Sequence, residues 1–207
     1  MDSQIDKDLH RTFPNNEYLS SPNGQSSLGK LLNTLARKFS NQGYWQGMNY
    51  ITATCLILSI GNESETFYFV SSLYQTFGVI TLYEEKFEKV RAYCRKFHET
   101  LEKIDKDYEK HIKNIGLDDS LWIFKWFITL FTYSYEYKDV LRIWDGLLAK
   151  DLNFMVNIAV SAALGLKGKI KEMTIEQALG CLEKCQVDIE KILNDAKNIS
   201  IDWNNDS

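Results

Sequence analysis

Apolar positions recur along this chain with a period near 3.6 and almost nowhere with a period of two, so the elements they predict are helices. Leu28, Leu31, Leu32, Leu35 and Phe39 form one stripe, on a helix opened by Ser26 and Ser27 and stopped near Asn41-Gln42-Gly43. A second apolar segment runs from Met48 to Ile60 and ends at Gly61-Asn62, and a third carries Phe67, Val70, Tyr74 and Phe77 on one side. The longest pattern is Phe87, Val90, Cys94, Phe97, Leu101, Ile104 and Tyr108, in alternating steps of three and four with charged residues filling most positions between. So narrow a stripe predicts one continuous helix lying along a single neighbour with its other faces wet, and His98, which flanks the seam, reads as solvated. Trp122, Phe124, Trp126, Phe127, Leu130 and Phe131 point nearly all round, which places their helix in the middle of the domain. Val140 to Leu148, Phe154 to Leu166, a helix opened by a Thr174/Gln177 capping box, and Val187 to Ala196 complete the array. The fold class is all-α. One domain is expected over 1–200, with a loop-rich stretch at Phe13 to Ser27 and a polar tail over 201–207 that frays.

Composition sharpens this picture. Pro14 and Pro22 are the only prolines in 207 residues, so the rest of the chain carries nothing that forbids a helix interior, and a sandwich or barrel with frequent turns is excluded. The 5 Trp, 11 Tyr and 11 Phe supply enough large side chains for a sizeable core. A net charge of -4 argues against nucleic acid as the partner. No apolar run approaches the roughly 18 residues of a membrane span, and Met-Asp-Ser-Gln-Ile-Asp-Lys-Asp is no signal peptide. The expectation is a cytoplasmic chain whose Cys55, Cys94, Cys181 and Cys185 stay reduced.

A search for a self-sufficient active site returns little. His10, His98 and His111 are scattered, and Cys181 and Cys185, one helical turn apart, lack a histidine to complete a tetrahedral site, so no metal is expected. No nucleophile elbow and no phosphate-binding glycine loop occurs; Gly165-Leu166-Lys167-Gly168-Lys169 only loosely resembles one. Trp122, Trp126 and Trp144 read as core, and Arg142 with Asp145 as a structural ion pair.

Two short stretches stand out in combination. Ile5-Asp6-Lys7-Asp8-Leu9-His10-Arg11-Thr12-Phe13-Pro14 has the form I-x-x-D-x-x-R-T-x-P, and Tyr44-Trp45-Gln46-Gly47-Met48 has the form Y-x-Q-G-M. With Trp126 to Phe131 and Val140 to Asp145 following in order, they resemble the TBC domain of Rab GTPase-activating proteins from Ile5 to roughly residue 170. In that family additional helices precede the arginine motif, whereas four residues precede Ile5 here, so the resemblance implies a TBC domain that begins late.

What the resemblance implies is a chain that accelerates GTP hydrolysis by a Rab-type small GTPase in trans. Arg11 matches the arginine finger, a permanently charged planar fork suited to the charge that develops on transferring phosphoryl oxygens. Gln46 matches the glutamine finger, whose amide orients the attacking water without changing charge. Asp8, three residues before Arg11 on one helical face, can fix the guanidinium, Tyr44 can brace the second loop, and Gly47 lets backbone approach a partner. Ile5, Asp8, Tyr44 and Gly47 are thereby assigned to partner binding, with a structural role left open for Asp8 and Tyr44. GTP and Mg²⁺ belong to the GTPase; the chain is expected to hold no cofactor and to meet endomembranes only through that partner. Two rival readings are a catalytically silent TBC module that docks a GTPase or another protein, and a helical scaffold unrelated to GTPases.

Overall fold

The computed structural model describes residues 3–203, and among these it contains twelve α-helices and no strand. The chain divides into two compact units, residues 1–86 and 87–207. No described helix is long and apolar enough to cross a membrane.

In the first unit α1 (Ser3–Leu9), α2 (Glu17–Ser20), α3 (Pro22–Lys38), α4 (Met48–Leu58) and α5 (Glu63–Gln75) surround one apolar cluster of Ile5, Leu19, Leu28, Leu31, Leu32, Ala53 and Leu56. Helix α3 begins at Pro22 rather than at the serines 26 and 27. The Ser21 hydroxyl accepts from the Gly24 N–H at 3.1 Å, and Pro22 occupies the first turn, where its missing N–H costs no hydrogen bond. The expected loop at 13–27 therefore holds a helical turn, α2, capped by Asn16, and the start of α3. Helix α4 is buried at every position from Met48 to Leu56, polar Asn49, Thr52 and Thr54 included.

In the second unit the long seam is two helices, α6 (Glu88–Ile104) and α7 (Lys106–Asn114). The Asp105 carboxylate accepts from the Tyr108 N–H at 3.1 Å, capping a new helix where the heptad pattern runs on without a break. Helix α6 packs against α7, α8 and α10 and buries Tyr93, Lys96 and Thr100 beside the seam, so its buried face is wider than the seam, while Arg91, Arg95, Glu99 and Glu102 stay exposed. Helix α8 (Ile123–Ile128) is short, because Leu130 and Phe131 turn left-handed at φ 48° and 66°. Its rings nonetheless lie in the core: Phe97, Trp122 and Trp126 stand edge to face at 5.4 and 5.2 Å, and Phe131 and Tyr135 extend the stack.

Helices α9 (Tyr137–Leu148), α10 (Phe154–Ile170), α11 (Ile175–Glu183) and α12 (Ile189–Ala196) follow. Helix α10 carries buried apolar side chains all round and is covered by α6, α9 and α12. Thr174 and Gln177 form the capping box, and Arg142 meets Asp145 at 2.9 Å and also Glu190. All four cysteines are free; Cys185 lies buried beyond the end of α11, off the helix that carries Cys181. Residues 204–207 of the polar tail lie outside the described residues, and Trp203 packs edge-on to Tyr93 at 5.7 Å.

Candidate functional site

Arg11 sits just past the end of α1, half exposed, in a turn that Phe13 closes at φ 46°. Its Nη2 is 2.5 Å from Oδ1 of Asp8. Residues three apart share a helical face, so the acid is one turn back beneath the guanidinium. Asp8 is fully buried, and a carboxylate there needs donors on both oxygens. It has them: Gln4 Nε2 donates to Oδ1 at 3.2 Å, and the Tyr44 hydroxyl donates to Oδ2 at 2.5 Å.

Tyr44 belongs to the second stretch. Burial, and next the hydrogen bond to Asp8, hold its phenol protonated well above the usual tyrosine range, so it stays a donor at any working pH. Beyond it Trp45 and Gln46 are exposed, and Gly47 precedes α4 at φ 114°, a backbone conformation that side chains with a Cβ rarely adopt. Gly47 thus lets the chain turn sharply from the exposed Gln46 into the buried first turn of α4.

The two stretches are joined by more than Tyr44. Asn49 Nδ2 donates to Thr12 Oγ1 at 2.7 Å, the Tyr50 hydroxyl reaches the Arg11 carbonyl at 3.4 Å, and Phe13 and Tyr50 stand edge to face at 5.3 Å. Arg11 and Gln46 are therefore exposed side chains on two turns fastened to one buried polar cluster within the first unit. A half-exposed cation on a fixed counter-ion and a solvent-facing amide on the same framework are suited to meeting a polar, negatively charged group from outside.

Of the residues assigned to partner binding, Ile5 is fully buried in the apolar cluster, Asp8 is fully buried under Arg11, Gln4 and Tyr44, and Gly47 is buried behind Gln46. Tyr44 is half-buried and its hydroxyl is occupied by Asp8. Sequence reasoning missed Thr12 and Asn49. The available signal was Asn49 itself, an amide in the first turn of an apolar-rich helix.

Among the described residues no cluster of His, Cys, Asp and Glu could hold a metal ion. In the second unit a cavity of about 590 Å³ is lined by Arg91, Arg95, His98, Lys113 and Phe124, among others. His98 is not solvated there. Its two ring nitrogens lie 2.8 Å from Glu109 and 2.7 Å from Asp119. Burial opposes its charge, but the bonds to Asp119 and Glu109 prevail and raise its pKa to about 9.

The model of the Rab-GTPase-TBC domain matches residues 1–170. The human "TBC domain-containing protein kinase-like protein" is 23% identical over 96% of this chain and 22% of its own length. "Growth hormone-regulated TBC protein 6" of Caenorhabditis elegans is 31% identical over 76% of this chain and 47% of its own. The chain thus spans about a fifth of the human relative and about half of the nematode one. Among solved structures the Chlamydomonas flagellar RabGAP TBC domain superposes with a TM-score of 0.81 at 22% identity, covering 94% of this chain and 66% of that one. By the family model, and with the fold in agreement, the chain belongs to the Rab-GTPase-TBC domain family.

Proposed function

We propose that this chain is a GTPase-activating domain for a Rab-class small GTPase, with Arg11 and Gln46 supplied in trans. The observation that carries the reading is the fastening of both turns to one buried cluster through Asp8, Tyr44, Thr12 and Asn49, which leaves Arg11 and Gln46 outside it. Family membership supplies the partner class; matching relatives include the "Rab GTPase-activating protein tbc-11" of Caenorhabditis elegans.

In the proposed mechanism the GTPase brings GTP and Mg²⁺. The Arg11 guanidinium, steadied on one side by Asp8, offers its remaining N–H groups to the γ-phosphoryl oxygens and the bridging leaving oxygen as charge accumulates there. The Gln46 amide oxygen accepts a hydrogen bond from the attacking water while its NH₂ group bonds a neighbouring acceptor. An arginine delivered this way is worth roughly 10³- to 10⁵-fold in rate.

The test is single-turnover GTP hydrolysis on a panel of Rab proteins, comparing the wild-type chain with Arg11→Ala and Gln46→Ala. Loss of stimulation in each variant with binding retained supports the reading. Equal rates for wild type and both variants on every Rab that binds exclude it and leave a docking module, and an absence of nucleotide-dependent binding leaves a scaffold unrelated to GTPases.

A further inference from the structure

Asn49 is completely buried, and an amide in that position is costly unless both of its ends are bonded. Here each end has a partner of the right kind. Its Oδ1 accepts from the Gly47 N–H at 2.9 Å, and its Nδ2 donates to Thr12 Oγ1 at 2.7 Å. Thr12, also buried, directs its own hydroxyl hydrogen to the Asp8 carbonyl at 2.6 Å. With that hydrogen engaged, Thr12 Oγ1 can only accept from residue 49, which fixes the way round the amide sits. An unbroken run of three hydrogen bonds links Gly47, Asn49, Thr12 and Asp8. Gly47 is the neighbour of Gln46, Thr12 is the neighbour of Arg11, and the Asp8 carboxylate holds Arg11 directly.

We propose that Asn49 is a positioning residue that keeps Gln46 in register with Arg11, acting through Gly47 at one end of this run and Thr12 at the other. The inference rests on the reading of Arg11 and Gln46 as the groups that act on the GTPase. An asparagine suits the site because it needs an acceptor for the Gly47 N–H two residues away and a donor for Thr12, 37 residues away in sequence. An aspartate would set an oxygen against the lone pairs of Thr12, so the single Thr12 hydroxyl hydrogen could serve only one of Asp8 and residue 49 and the run would break. All four residues of the run are buried, so its loss acts on geometry, and a shift of about 1 Å in a reacting group costs on the order of 100-fold in rate.

The experiment uses Asn49→Ala, the near-isosteric Thr12→Val, and Thr12→Ser, which keeps the hydroxyl. Thermal unfolding first establishes that each variant is folded at the assay temperature; Thr12→Val preserves volume and carries the test if Asn49→Ala does not fold. Hydrogen exchange at the Gly47 amide, which needs no GTPase, is expected to quicken at least tenfold in Asn49→Ala. In single-turnover assays, Asn49→Ala and Thr12→Val are expected to lower the maximal rate by about 10- to 100-fold while the half-saturating Rab concentration moves less than about threefold. Thr12→Ser restores the rate, and Asn49→Ala adds nothing further once Gln46→Ala is present. Unchanged Gly47 exchange, an unchanged maximal rate in folded variants, a Thr12→Ser chain as slow as Thr12→Val, or losses that multiply in the Asn49/Gln46 double variant each overturn the proposal. A wild-type chain that stimulates no Rab overturns the reading beneath it, a result visible before any variant is made.

Discussion

The hydroxyl of Tyr44 donates a 2.5 Å hydrogen bond to the Asp8 carboxylate across 36 residues of sequence, while Arg11 holds the other oxygen of the same group. Tyr44→Phe removes one donor from a buried carboxylate and leaves the ring in place. The expected cost is about 1–3 kcal/mol of folding stability, read by urea unfolding. With Arg11 less firmly held, the maximal rate of Rab GTP hydrolysis is expected to fall while binding persists. A stability equal to wild type would show that the bond contributes nothing.

Arg11→Lys separates charge from shape. A lysine keeps the positive charge but lacks the planar fork that spans a carboxylate and a phosphoryl group together. Stimulated hydrolysis is expected to fall nearly as far as in Arg11→Ala, with little change in melting temperature because the lysine ammonium keeps a positive charge beside the buried Asp8. A lysine variant with near wild-type rate would mean that charge alone suffices.

The second unit carries a pH dependence. His98 has a raised folded-state pKa of about 9 against an unfolded value near 6.5, so the charged imidazole stabilises the fold fully below pH 6.5. That contribution is lost as pH rises through 9. The groups that face it are Glu109 and Asp119, with Lys113 also bonded to Glu109, and Glu109 is held below the usual carboxylate range against its burial by His98 and then Lys113. A stability loss on the order of 3 kcal/mol is expected between pH 6 and pH 9.5, measured as the shift in urea midpoint. His98→Gln should flatten that dependence; an equally steep profile in the variant would assign it elsewhere.

Two glycines give opposite outcomes on substitution. A Cβ at Gly24 would overlap the backbone carbonyl of Tyr18, where α2 and α3 meet, and backbone cannot step aside cheaply. Gly24→Ala is expected to cost about 1–3 kcal/mol or more. At Gly165, within α10, the nearest obstacle is Cδ1 of Ile192 at 2.9 Å, the far end of a side chain that can change rotamer. Relief of the helix-interior glycine penalty, about 1 kcal/mol, should leave Gly165→Ala near neutral or stabilising, and chemical denaturation of both variants reads the contrast.

Much of the local structure was legible in the sequence because helices declare themselves through spacing. The neighbourhood of Asp8 and Arg11 follows from a spacing of three residues, and the Thr174/Gln177 cap from the same spacing. What was not legible depended on returns of the chain. The break at Asp105 is hidden because Ile104 and Tyr108 keep the heptad step, yet it lets Glu109 approach His98 and changes that histidine from a solvated flank to a bridged cation. Ser21-Pro22 is a sound start signal, but it lies in a stretch whose Ser, Asn and Gly content reads as loop. At the site, the resemblance of two short stretches to a known family pointed to Arg11 and Gln46, while the Thr12–Asn49 contact spans 37 positions and rests on how α1 and α4 meet. No local pattern encodes such a contact; only the oddity of a buried amide points to it.

The capped helices at the C-terminal end set where this fold can be cut. The family match stops at 170, but the Trp126 indole donates to the Leu182 carbonyl, the Cys185 N–H donates to the Ser134 carbonyl, and Ser161 and Asn157 on α10 are bonded to the carbonyls of Ile192, Ala196 and Ile199. A chain ended at 170 would uncover the α12 face of α10 and orphan the buried Trp126 and Ser161 donors at one stroke. The unit that folds is therefore longer than the unit that is recognised by family, and an expression boundary drawn at the recognised edge would separate the second unit from part of its own core.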